Sequence, residues 1–145
     1  FYSPGDMAAR IDEAAHATGQ PCPRDIGEYI RCINDSLALA YRRAVRQAVE
    51  LSGREVKVLH IVGGGIRNRL LCQLAADATG LPVLAGPAEG TTLGNVVIAA
   101  RGAGVIDGDL SDLRRLIRSS SRLTRYTPDL DTSSNWDDVE RRLFG

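Results

Sequence analysis

The amino-acid sequence predicts an α/β fold, a parallel βαβ unit with flanking helices. Two observations carry this. Residues 56–62 hold Val56, Val58, Leu59, Ile61 and Val62 and are almost wholly apolar after Lys57, the composition of a strand buried on both faces. Three glycines follow at once, the apolar spacing then turns helical over 68–79, and a second apolar run appears at Val83, Leu84 and Ala85. Strand, helix, strand and a further helix at this spacing make a βαβ unit.

The elements follow in order. The chain starts at Phe1, and Phe1 to Asp6 reads as the middle of a loop. Asp6 is an N-cap for a first helix with Met7, Ile11 and Ala14 on one face, stopped by Gly19 and Pro21. Residues 18–27 are a turn-rich connection. A long helix spans 25–51, where Ile26, Ile30, Ile33, Leu37, Tyr41, Ala44, Ala48 and Leu51 form one apolar stripe. Arg42, Arg43, Arg46 and Glu50 lie off that stripe, and Gly53 ends the helix. Cys32, next to Ile33, reads as a small buried residue.

In the helix over 68–79, Leu70, Leu71, Leu74, Ala75 and Ala78 point inward, and Gly80 and Pro82 close it. Gly86 and Pro87 break the second strand. The next helix starts at Thr91 or Thr92 and presents Leu93, Val96, Val97 and Ala100. Leu110, Leu113, Leu116 and Ile117 mark one more, residues 119–135 read as extended or mobile, and 136–144 as a terminal helix. Typical sheets carry about four to six strands. Two are too few, so the sequence predicts the C-terminal part of a larger protein, or a sheet completed by another chain.

Composition removes several classes. With 145 residues, 43% of them hydrophobic, the chain has enough apolar side chains for one core, so general disorder is excluded. Eighteen basic residues balance eighteen acidic ones, which argues against a whole-chain grip on nucleic acid or anionic lipid. The longest apolar run falls far short of the roughly 18 residues of a membrane span. Cys22, Cys32 and Cys72 are too scattered for a disulfide scaffold or a zinc site. The expected setting is cytoplasmic.

The sharpest local feature is the turn Gly63, Gly64, Gly65, Ile66, Arg67, Asn68 between strand and helix. Glycine lets a ligand approach the backbone, and the helix that follows presents free N–H groups suited to a phosphate or a base edge. The competing reading is a tight turn that needs glycine for its geometry alone. A dinucleotide fingerprint would want a third spaced glycine where Asn68 stands, and its ribose acid would have to be Glu89. A phosphate loop of the Gly-Lys-Ser type is excluded, because the only lysine, Lys57, precedes the strand.

Elsewhere the bland readings prevail. Glu89 is a solvated loop charge, Thr91 and Thr92 are helix caps, His60 is a core histidine and His16 is exposed. Cys72 and Asp77 have no histidine nearby in sequence to form a nucleophile pair. Arg114, Arg115, Arg118, Arg122 and Arg125 form a solvated face without interleaved aromatics.

Residues 59–68, the run Leu74, Ala75, Ala76, Asp77, Ala78 and the loop from Ala85, Gly86, Pro87 to Gly94, Asn95 resemble the C-terminal part of the FGGY carbohydrate kinases. The branch acting on L-rhamnulose is the most similar, and Ser3 to Met7, Thr18 to Pro21 and Arg31 to Ala38 look like it too. The resemblance implies a partial actin-like (ribonuclease H-like) ATPase domain. Residues 1–130 would form the C-terminal portion of the second, nucleotide-binding domain, and residues 131–145 a tail. It implies ATP and Mg2+ as cofactors, with Gly63, Gly64, Gly65 and Asn68 lining the adenosine wall.

The family's sugar pocket, first phosphate loop and catalytic-base aspartate lie N-terminal to anything present. The resemblance therefore assigns no catalytic residue here, not Asp6, Asp35 or Asp77, and implies a chain inactive by itself. ATP or ADP would be its partner, the sugar being held mainly by the missing parts. Its open sheet edge and apolar helix faces predict self-association. A fuculokinase or xylulokinase, a stand-alone nucleotide-binding module and a dinucleotide-dependent enzyme fragment are the alternatives.

Overall fold

The computed structural model describes residues 5–129, 131 and 133–144. Phe1 to Pro4, where the opening loop is predicted, and residues 130, 132 and 145 lie outside the described residues. Helix α1 (Met7–Ala17) begins where the Asp6 carboxylate accepts the Ala9 N–H at 3.1 Å. Of its predicted inward face only Ile11 is buried; Met7 and Ala14 are exposed. Helix α2 (Ile26–Ser52) is capped by Asp25, which accepts the Glu28 N–H at 3.0 Å, and closes at Gly53 in the left-handed conformation.

The buried face of α2 is not the predicted stripe. Asn34, Ala38, Leu39 and Arg42 are buried, whereas Ile26, Ile30, Ile33, Leu37 and Leu51 are exposed. The row Asn34, Ala38, Arg42 sits one residue, about 100°, round the helix from Ile33, Leu37 and Tyr41. Ala38 has no bulk beyond Cβ, and helix α3 (Arg69–Thr79) packs closely against it. Cys32 is half-buried.

Helix α3 is the centre of the molecule. Leu71, Cys72, Leu74, Ala75, Ala76, Asp77 and Ala78 are all buried, and Leu70, predicted inward, is exposed. On one side Cys72, Ala75 and Ala76 meet Val83 and Ala85, with Tyr41, Leu59, Ile61, Ile66 and Tyr126 packed around them.

The sheet has three strands in the order β1 (Leu59–Ile61), β2 (Val83–Ala85), β3 (Thr124–Tyr126). Strands β1 and β2 are parallel, with Leu59 opposite Val83 and Ile61 opposite Ala85. Strand β3 lies antiparallel to β2, Tyr126 opposite Val83, inside a stretch predicted extended or mobile. Only 59–61 of the predicted first strand is paired. Leu59 and Ile61 turn towards α3, and His60 faces the other way and is exposed, which corrects its placement in the core. Alternation along a strand puts neighbours on opposite faces, and only the α3 face of this sheet is well covered.

Helix α4 (Gly90–Gly102) starts one residue before Thr91, so Thr91 and Thr92 stand in its first turn rather than at its cap. It buries Val97 but leaves Val96 exposed. Helix α5 (Leu110–Ser119) opens with a capping box between Asp109 and Asp112 and buries Leu113. Helix α6 (Ser133–Phe144) sets Trp136 against Ala38, Leu74 and Ala78.

Candidate functional site

Two loops leave the carboxyl ends of β1 and β2 side by side, the place where open parallel sheets bind ligands. Backbone hydrogen bonds zip them together beyond the strands. The Gly86 N–H donates to the Ile61 carbonyl at 2.8 Å, and the Gly63 N–H to the Pro87 carbonyl at 3.0 Å. Gly63 has φ +82° and ψ −164°, a conformation open to glycine alone. Gly86 has φ +129°, and a Cβ there would stand 2.8 Å from the Arg122 carbonyl.

The other two glycines of the turn are different. Gly64 and Gly65 open a 3₁₀ turn (Gly64–Arg67) without positive φ. A Cβ on Gly64 would meet nothing within 4 Å, and one on Gly65 would make only an ordinary contact, 3.9 Å from the Ile61 methyl. The turn geometry thus requires glycine at 63, and nothing within the described residues requires it at 64. Both Gly64 and Gly65 are exposed.

Asn68 ties this turn to the core. Its Oδ1 accepts the Leu71 N–H at 3.0 Å as N-cap of α3, and its Nδ2 donates to Asn34 Oδ1 at 2.7 Å. Asn34 in turn donates to the Ile30 carbonyl at 2.8 Å, so the buried Asn34 side chain is satisfied and pins α2 to the start of α3. Sequence reasoning missed Asn34; a polar residue four before Ala38, on the row facing α3, was the available signal.

Across the turn, Glu89 precedes α4 exposed and makes no capping bond, leaving the first N–H groups of α4 without a side-chain cap. Such an end favours an anion. Two shallow grooves lie elsewhere, along α1 and α2 and between the end of α2 and Val56; neither includes the glycine turn, which sits on an open face.

The remaining reactive groups are occupied. Asp6 caps α1, Asp35 pairs with Arg31 at 2.9 Å, and the buried Asp77 accepts from Gln73 and from the Asp129 N–H. Burial pushes the Cys72 thiol up, away from thiolate. Arg114, Arg115, Arg118, Arg122 and Arg125 are all exposed, and His16 is exposed as predicted.

Residues 1–103 match the sequence profile of the FGGY family of carbohydrate kinases, C-terminal domain. A rhamnulokinase of Bacteroides thetaiotaomicron is 44% identical over 137 residues, 94% of this chain and 28% of that protein. A rhamnulokinase of Klebsiella pneumoniae strain 342 is 42% identical over 91% of this chain and 27% of its own length. The chain therefore spans little more than a quarter of these curated relatives. Among solved structures, the xylulose kinase from Rhodospirillum rubrum superposes with a TM-score of 0.62 at 26% identity, over 86% of this chain and 25% of that one. By sequence and by fold, the chain belongs to the FGGY family of carbohydrate kinases, whose C-terminal domain it carries.

Proposed function

We propose that this chain is the ATP-binding C-terminal part of a sugar kinase that transfers the ATP γ-phosphate to L-rhamnulose, giving the 1-phosphate. The similarity to rhamnulokinases over more than nine-tenths of the chain carries this reading. Gly63, Gly64, Gly65 and Asn68 are the proposed nucleotide wall. What supports it is Gly64, a glycine that neither φ nor packing demands, exposed beside an uncapped helix start. Phosphoryl transfer is mostly positioning and charge stabilisation. In it these residues would hold the adenosine end, while the base that takes the hydroxyl proton comes from outside the chain. No group of three or more His, Cys, Asp or Glu among the described residues could hold a metal, so Mg2+ is proposed to arrive on the nucleotide phosphates.

Residues 1–130 are proposed as the C-terminal portion of the nucleotide-binding domain and 131–145 as its tail. No helix among the described residues is long and apolar enough to cross a membrane, and a cytoplasmic location is proposed. We further propose that the isolated chain self-associates through its open apolar faces. Sedimentation of a monomer at high concentration would refute that.

The xylulose kinase neighbour favours one second reading, another sugar within the same family. The test is ADP release by the longest natural chain containing this segment, given Mg-ATP with L-rhamnulose, L-fuculose, D-xylulose or glycerol. Turnover selective for L-rhamnulose, and at least tenfold weaker in Gly64→Asp, is the expected result. Selectivity for D-xylulose would move the substrate, and no turnover with any sugar would leave a nucleotide-binding module.

A further inference from the structure

We propose that Cys22 is a thiol-modification site, activated by His16, at which a small-molecule disulfide forms a mixed disulfide with the chain. The site lies in the connection between α1 and α2 and does not depend on the sugar-kinase reading.

A thiol becomes a nucleophile when a base takes its proton and a third group holds that base in place. All three parts are present. Cys22 Sγ lies 3.5 Å from His16 Nδ1 and 3.7 Å from His16 Nε2. His16 Nδ1 in turn lies 2.8 Å from the Asp12 carbonyl oxygen, one helical turn earlier. A carbonyl only accepts, so Nδ1 carries the proton of the neutral ring. The free lone pair then falls on Nε2, the nitrogen able to receive the Cys22 proton. The Asp12 carbonyl, 3.8 Å from Sγ, is a second resting acceptor for the thiol. His16 stands in the last turn of α1, where the cation formed by proton transfer suits the helix dipole.

The surroundings hold this arrangement. The Asp12 carboxylate accepts the Tyr29 hydroxyl at 2.7 Å, which ties α1 to α2. Beyond α1 the chain folds back, the Gly19 N–H donating to the His16 carbonyl at 3.1 Å and the Gln20 N–H to the Ala15 carbonyl at 2.9 Å. Pro21 and Pro23 flank Cys22 and narrow the backbone angles open to it. His16 is exposed and Cys22 half-buried, so a reagent can reach the pair. Neither groove of the molecule includes them, which suits a reagent that needs only a sulfur within reach rather than an enclosing pocket.

The other two thiols lack these features. Cys72 is buried. Cys32 is half-buried like Cys22 but makes no side-chain hydrogen bond among the described residues.

The chemistry is thiol–disulfide exchange. His16 Nε2 takes the Cys22 proton, and the thiolate attacks one sulfur of the disulfide R–S–S–R. A new S–S bond joins Cys22 to one half as the old S–S bond breaks. The departing thiolate recovers the proton from the imidazolium and leaves as a free thiol. Cys22 is oxidised, the leaving half is reduced, and no further oxidant is needed.

The experiment incubates the longest natural chain containing this segment with hydroxyethyl disulfide, a neutral probe, and follows each cysteine by mass spectrometry of its peptides. Cys22 is expected to react at least tenfold faster than Cys32, with Cys72 unmodified. His16→Gln should slow Cys22 at least fivefold and leave Cys32 unchanged. Modification of Cys72 marks a variant that has lost its fold, and the ratio of Cys22 to Cys32 in the unaltered chain then decides. Equal rates at Cys22 and Cys32, or an unchanged Cys22 rate in a folded His16→Gln, would overturn the proposal.

Discussion

The corner where α2, α3 and α6 meet and the corner around the glycine turn are built in opposite ways. In the first, the chain satisfies itself. Arg42, buried, donates to the Ala78 carbonyl, to Asp137 and, at 2.8 Å, to Glu140, and Arg46 holds the same two carboxylates at 2.9 and 2.6 Å. The guanidinium also sits at the C-terminal end of α3, where a cation suits the helix dipole. In the second corner Gly64 and Gly65 are bare, Glu89 caps nothing, and α4 leaves Val96 and Ile98 in solvent. The contrast teaches where to look for function. A region whose polar and apolar groups all find partners inside the chain explains stability, and one whose groups do not is shaped for something outside it.

The largest expected effect breaks the closed corner. Arg42→Met leaves Glu140 beneath α6 without its buried partner and the Ala78 carbonyl without its donor. Removing one partner of a buried pair costs about 3–5 kcal/mol, and Arg46 still holds both acids, so the expected loss is about 3 kcal/mol. Gly64→Asp, on the open corner, should change stability by less than about 0.5 kcal/mol, because its side chain meets nothing. Urea denaturation of both variants reads the difference. Comparable losses would mean that the glycine turn is a structural device after all.

What was legible in the sequence was local. The β-branched run, the three glycines, Asn68 before α3 and the stops at Gly53 and Gly80 all report on neighbours within a few residues, and each lies where it was predicted except that the run pairs as a strand only at 59–61. Three features depend on distant chain. Strand β3 has no alternating pattern of its own and exists because β2 offers it an edge some 40 residues earlier. Arg42 is buried because its acids lie 95 and 98 residues downstream. The stripe of α2 looked like a core face because it is apolar, yet the face that packs is the small and polar row beside it. For the candidate site, glycine spacing placed the turn, but only coordinates separate Gly63, which the backbone needs, from Gly64, which it does not.

The smallest effect sharpens the comparison through pH. The hydrogen bond from Arg46, and then the charge of Arg42, hold the Asp137 carboxyl below the ordinary carboxylate range. A depressed pKa means that the unfolded chain binds the proton more tightly. The stabilisation is therefore complete above the unfolded value of about 4 and is lost as pH falls through the lower folded value. Asp137 is half exposed, so its share is modest. Asp137→Asn keeps an oxygen for Arg46 but removes the charge. Its urea midpoint should fall below that of the unaltered chain at about pH 7, and the gap should narrow at about pH 3. Glu28, depressed by Arg24 at the far end of α2, is common to both proteins and cancels in the difference. A gap that stays constant with pH would show that the charge of Asp137 is incidental to the α6 corner, leaving Glu140 as the carboxylate that Arg42 and Arg46 hold there.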